Sequence, residues 1–252
     1  MHLETTLQQL RAMRLSVMAD ALQRRLHTGD HQGLTGEEFI ALLVEDEYGA
    51  RQQRKLSRLI GTANFKPEGA CLVNVHYAPT RGLEKRDLMP FTSPTWVHSA
   101  RNLVITGATG TGKTYLAEAI GLEACKMGYS VKKIRYKTLF EELNAARGTG
   151  QFLRYIKRLQ LTKVLILDDF LMTAASGDDI ANLLEIIDDR SQIGPVIITT
   201  QYPPADWHKL MPDPTLADAI CDRLIHTSTV MHLKGESQRK RKKETQTEQV
   251  EG

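Results

Sequence analysis

The stretch that decides the reading is LVITGATGTGKTYLAEAI, Leu103 to Ile120. A short apolar run enters a glycine-rich turn, and the turn enters a helix-forming sequence. Gly107, Gly112, Lys113 and Thr114 fit G-x-x-x-x-G-K-[ST], placed between a strand and a helix as this phosphate-binding loop requires. Gly107, Gly110 and Gly112 let backbone N–H groups approach a β-phosphate at a helix N-terminus, whose dipole favours anions. The whole run of Gly107, Ala108, Thr109, Gly110, Thr111, Gly112, Lys113, Thr114 and Tyr115 is the candidate ATP cradle. Lys113 is expected to reach the β- and γ-phosphates, and Thr114 to give its hydroxyl to Mg²⁺.

Outward from this loop, short apolar strands alternate with helices, the pattern of a parallel sheet. NLVIT leads to a helix from Lys113 to about Met127. SVKKIRY reads as a strand and TLFEELNAAR as a helix. KVLILDD reads as a strand buried on both faces, because its Val, Leu and Ile run is unbroken. DIANLLEIIDDR, GPVIITT, TLADAICDRLI and STVMHLK continue as helix, strand, helix, strand. The fold class is therefore α/β, a P-loop core of five parallel strands flanked by helices over 101–236. Ahead of it, Leu7, Leu10, Leu15, Met18, Leu22 and Leu26 recur at helical spacing in a helix that Gly29 and Gly33 end. LTGEEFIALL restarts a helix with Thr35 and Glu38 in capping-box register, so 1–62 reads as a small all-helical domain. Proline and glycine punctuate 63–100, a connector expected to hold little regular structure. The tail 237–252 is too polar to bury anything and is expected to be disordered.

The chemistry needs more than a loop. Asp168, at the end of VLILDD, is placed to hold Mg²⁺ through water, and Asp169 to polarise the attacking water. Asp is one methylene shorter than the Glu usual at that second position, so slow turnover is expected. Thr200 or Gln201, ending IITTQ, is placed to reach a γ-phosphate or orient water. Arg223 ends a helix just before the last strand. In a monomer it is a surface charge; in an oligomer it is placed to project into a neighbour's γ-phosphate.

The net charge of +3 conceals a segregation. Residues 51–86 hold eight Lys or Arg against two acids, and 126–163 hold ten against two, whereas 164–222 hold two against eleven. Two basic blocks beside a nucleotide site point to a polyanionic partner. The alternation of VKKIRYK puts Lys133, Arg135 and Lys137 on one strand face and Lys132 on the other. With Arg51, Arg54, Lys55 and Arg58 they are the candidate phosphate contacts to DNA; on an outer strand such charges would equally guard against edge pairing. No apolar run is long enough to cross a bilayer, so no membrane partner is expected. Three widely spaced cysteines suggest reduced thiols in the cytoplasm. A small-molecule kinase would need a lid and an acceptor-binding segment, and a GTPase a guanine-reading N-K-x-D; neither pattern is found.

GATGTGKTYLA, VLILDDF, IITTQYPPADWHKLMPDPTLADAICDRLIH and LKGES together resemble the IstB-type helper ATPases of insertion-sequence transposons. These are relatives of the DnaC and DnaI helicase loaders in the AAA+ superfamily. The resemblance runs from about residue 5 to 240 and is most specific from Gln201 to Ser237. It implies an ATPase that binds DNA, forms a homo-oligomer with ATP sites at subunit interfaces, assembles on duplex DNA and regulates a partner transposase at target sites. By the same resemblance Lys113 and Thr114 are Walker A, Asp168 and Asp169 Walker B, Thr200 to Gln201 the sensor-1 region, and Arg223 the arginine finger. A helicase loader is the alternative. One departure is that too few residues follow the last strand for the helical lid of most AAA+ proteins, which leaves only Arg239 as a weak stand-in for its arginine.

Overall fold

Three largely apolar buried runs, LVITG, VLILD and VIITT, lie side by side with the more polar VKKIR and TVMHL as five parallel strands. A computed structural model describes residues 2–67 and 69–238. Arg239 and the rest of the basic tail lie outside the described residues. The chain divides between Arg58 and Leu59 into two units.

The first unit is helical. Helices α1 (Leu3–Ala12) and α2 (Ser16–Thr28) replace the single helix expected here. The break falls at Arg14, whose φ of 60° is left-handed and stops helical continuation. Helix α3 (Gly36–Ala63) starts at the expected capping box: Thr35 N–H donates to Glu38 Oε2 (2.8 Å), and Glu38 N–H to Thr35 Oγ1 (3.2 Å). Within this unit Glu47 is buried and accepts from Arg51, Arg54 and the backbone N–H of Met18. The bond from Arg51 above all, with that from the Met18 N–H, holds its carboxyl below the ordinary value against the opposing effect of burial.

The second unit holds the sheet. Strands β1 (Leu103–Gly107), β2 (Val131–Arg135), β3 (Val164–Asp168), β4 (Val196–Thr200) and β5 (Thr229–Leu233) lie in the order β2-β3-β4-β1-β5, all pairs parallel. Helices α6 (Lys113–Lys126), α7 (Tyr136–Gly148), α8 (Phe152–Leu161), α9 (Gly177–Asp188), α10 (Trp207–Leu210) and α11 (Pro214–Ile225) flank it. Every residue of β1, β3 and β4 is buried, as unbroken apolar runs covered on both faces require. An aromatic chain of edge-to-face contacts, Phe140–Tyr136–Phe170–Trp207, has centroids 4.8–5.1 Å apart and packs the turn that leaves β3.

Three expectations change here. The connector is not irregular: α4 (Lys85–Leu88), α5 (Pro94–His98) and three 3₁₀ turns bury Leu72, Val75, Leu83, Leu88, Phe91 and Trp96. Proline and glycine set its turns without preventing apolar burial. Helix α8 is an element the sequence reading missed, although Phe152, Tyr155, Ile156 and Leu159 follow helical spacing. Lys137 belongs to α7 rather than to β2, so it does not share a strand face with Lys133 and Arg135. Among the described residues no helix is long and apolar enough to cross a membrane, and β5 is followed only by Lys234–Gln238.

Candidate nucleotide site

The loop leaves the C-terminal edge of β1 and opens α6, so the N-terminal amides of a fourteen-residue helix face the place where phosphates bind. Gly110 shows why glycine is required. Its φ is +87°, and an added Cβ would lie 2.4 Å from Ser237 Oγ. Gln238 N–H donates to Gly110 O (2.9 Å), so the segment after β5 packs on the loop. Thr111 Oγ1 donates to Ala108 O (2.9 Å) and tightens the turn. Lys113 Nζ donates to the carbonyls of Gly107 (2.8 Å) and Ala108 (2.9 Å). Burial lowers its pKa, while the charges of Asp169 and Asp168 act to raise it.

The strand order explains the rest. Strand β4 lies between β1 and β3, so its C-terminal residues stand between the loop and the acidic pair. Asp168 is 1% exposed and accepts from Thr114 Oγ1 (2.7 Å) and Thr199 Oγ1 (2.6 Å). Asp169 is exposed and holds a left-handed φ of 57°, and its N–H donates to Thr199 Oγ1 (3.1 Å). Gln201 Nε2 donates to Thr109 Oγ1 of the loop (2.7 Å). Thr200 turns the other way and donates to Phe170 O (2.9 Å), bracing the turn after β3. Of the two candidates on this strand, Gln201 meets the loop and Thr200 does not. Thr199 was missed, because side chains alternate along a strand and TT alone does not reveal which threonine faces Asp168.

The donor set fits ATP with Mg²⁺. A glycine-conformed loop at a helix start and the buried ammonium of Lys113 suit a phosphate chain. The Thr114 hydroxyl and Asp168 carboxylate, 2.7 Å apart, are the hard oxygen ligands Mg²⁺ takes. The hydroxyl of Tyr115 is bound instead to the backbone of Cys71, accepting from its N–H and donating to its carbonyl, both at 3.3 Å.

Arg223 stands elsewhere. Its Nε donates to Asp188 Oδ1 (2.5 Å) and its Nη1 to Ala219 O (3.0 Å). Its carbonyl accepts from Asn102 Nδ2 (3.0 Å), the residue that precedes β1. The phosphate loop begins where β1 ends, about 13 Å away along four strand steps. Arg223 and the loop of the same chain therefore occupy opposite edges of the sheet.

The basic candidates also separate. Lys133 is 6% exposed and makes a buried ion pair with Glu118 of α6, which withdraws it from any surface. Arg135 and Lys137 are exposed, and Lys137 pairs loosely with Glu141 (3.7 Å). In the first unit Arg51 and Arg54 flank Glu47, while Lys55 and Arg58 are exposed.

Residues 8–246 match the family model of the IstB-like ATP binding protein. An insertion-sequence ATP-binding protein of Sinorhizobium fredii is 37% identical, covering 93% of this chain and 96% of its own. The ATP-binding protein of insertion sequence IS1162 from Pseudomonas fluorescens is also 37% identical, over 79% of this chain and 86% of its own. Among solved structures, the DnaC helicase loader aligns with a TM-score of 0.55 and 22% identity, over 66% of this chain and 97% of its own. AMPPCP-bound DnaA from Aquifex aeolicus aligns with a TM-score of 0.60 and 20% identity, over 73% of this chain and 56% of its own. These two likenesses are of fold alone, a parallel sheet flanked by helices. Loop, acidic pair, strand order and family match agree, and the chain belongs to the IstB-like ATP-binding protein family of insertion sequences.

Proposed function

We propose that this protein is an ATP-dependent helper of DNA transposition. It forms a homo-oligomer on duplex DNA, hydrolyses ATP at subunit interfaces and regulates the transposase of the same element. The observation that carries this reading is the place of Arg223. An arginine at the sheet edge opposite its own loop cannot serve its own γ-phosphate, but it can serve a neighbour's. Its pair with Asp188 is partly exposed, at 33% and 58%, and such pairs contribute about 0–1 kcal/mol. It can therefore exchange that partner for phosphate. Within each site Lys113 binds the phosphates, Thr114 and Asp168 hold Mg²⁺, Asp169 orients the attacking water and Gln201 positions the loop. Bound Mg²⁺ supplies charge neutralisation on the phosphate oxygens.

DNA is the polyanion that suits the basic blocks. Arg154, Lys157 and Arg158 line a cleft of about 870 Å³ beside Ser130 and Tyr155, and no acid lines it. Lys132, Arg135 and Lys137, and separately Arg51, Arg54, Lys55 and Arg58, extend the candidate contacts. The test is ATP-dependent assembly on duplex DNA followed by mixing. Arg223→Ala should bind ATP and hydrolyse it about 10³-fold more slowly or worse. Adding Lys113→Ala subunits should restore activity, because a mixed interface pairs one intact loop with one intact arginine. Mixed oligomers that stay inactive would refute the shared site. Preference for single-stranded DNA and a helicase would favour a helicase loader instead.

A further inference from the structure

We infer that Arg81, in the connector, is a positioning residue of the ATP site: its guanidinium clamps the phosphate loop from behind and places a permanent positive charge one peptide from Lys113. The inference rests on the reading of this loop as the ATP site. Arg81 is 8% exposed, and an arginine is seldom buried so far unless its donors are used. One Nη donates to Thr111 O (2.7 Å) and the other to His76 O. Thr111 is itself 1% exposed and immediately precedes Gly112 and Lys113. The same Nη that holds Thr111 lies 3.4 Å from where a Cβ on Gly112 would stand.

The backbone around Arg81 is built to keep it there. Residues 79–81 form a 3₁₀ turn closed by an antiparallel bridge between Ala78 and Leu83. Arg81 O accepts from Lys234 N–H (2.9 Å), beyond the end of β5. Gly82 takes a φ of +65°, and an added Cβ there would lie 2.6 Å from His232 O, so the turn passes directly against β5. The connector turn, the end of β5 and the loop thus form one packed corner with the guanidinium inside it. The carbonyls of a phosphate loop point away from the phosphates while its amides point toward them. Holding the Thr111 carbonyl from outside orients the following amide inward, and the cation adds attraction for the bound anion.

Both effects act on phosphate binding, so the loss on removal falls on KM rather than on kcat. Arg81→Met, which keeps an apolar stem of similar length, should weaken ATP and ADP alike by about ten- to a hundredfold, the factor for one unit charge across a partly buried site. Arg81→Lys keeps the charge but replaces the planar fork with a single point donor. It should recover most of the affinity while amide exchange at Thr111–Thr114 stays faster than in the unaltered protein. Titration with a fluorescent ATP analogue, steady-state kinetics and hydrogen exchange read these outcomes. A folded Arg81→Met protein that binds ATP within twofold of the original, or that loses kcat at constant KM, overturns the inference. Should Arg81→Met not fold, Arg81→Lys decides: original affinity together with original loop exchange overturns it. Lys113→Ala is the control for the site itself. If it loses ATP while the Arg81 variants keep it, this inference alone fails; if it binds ATP normally, the reading of the site fails.

Discussion

Removing the Lys133 charge should unfold the ATPase core more readily and leave DNA binding alone. Lys133 sits in β2 with its ammonium on Glu118 of α6, and their side chains are 7% and 3% exposed. Glu118 also accepts from Lys66 N–H at 3.4 Å. Lys133→Met keeps the stem and deletes the charge, which strands the Glu118 carboxylate in a site closed to water. Breaking a buried pair in this way costs about 3–5 kcal/mol. That is a large part of the ~5–15 kcal/mol that stabilises a typical domain. For a unit of this size it corresponds to a fall in Tm of about 6–20 °C. Adding Glu118→Leu removes the stranded charge and should recover most of the loss, because two apolar side chains of similar volume satisfy each other. Urea unfolding of the two single variants and the double variant measures the coupling, and titration of duplex DNA across a salt series measures the contact. A Lys133→Met protein within 1 kcal/mol of the original, with a DNA salt slope shallower by about one, would refute the reasoning and return Lys133 to the phosphate contacts.

Two further perturbations probe the site. Thr199→Val keeps the shape and deletes the hydroxyl that joins Asp168 to the Asp169 N–H. Losing a bond to a charged group should cost about 2–3 kcal/mol of stability and slow hydrolysis at least tenfold, with ATP affinity nearly intact; an unchanged kcat contradicts the link. Burial lowers the Lys113 pKa below its ordinary 10.5, whereas bound phosphate favours the ammonium. ATP affinity should therefore hold below the lowered value and fall as pH rises through it, with proton uptake on binding. Calorimetry in two buffers of different ionisation enthalpy detects that uptake, and its absence there would contradict the placement of Lys113.

Periodicity and motif spacing carried much of this protein in one dimension. The apolar runs of β1, β3 and β4, the loop at Gly107–Thr114 and the acid at Asp168 are local patterns, because a buried parallel strand must be continuously apolar and a phosphate loop must be rich in glycine at set positions. The capping box at Thr35 and Glu38 is equally local. Pairing across the chain is not. Which threonine of β4 meets Asp168 depends on strand phase and on β4 lying between β1 and β3. Lys133 and Arg135 share one face of VKKIRYK, yet Lys133 is buried on Glu118 of α6, fifteen residues away in sequence, while Arg135 at the end of β2 stays exposed. Arg81 lies in a stretch whose prolines and glycines suggested no regular structure, and only the packing of that stretch against β5 brings it to the loop. Arg223 was legible as a helix-end arginine, but its distance from its own phosphate loop follows from the direction of β1. Local sequence sets which backbone shapes are cheap; burial and strand order decide which side chains meet, because those contacts join residues far apart in the chain.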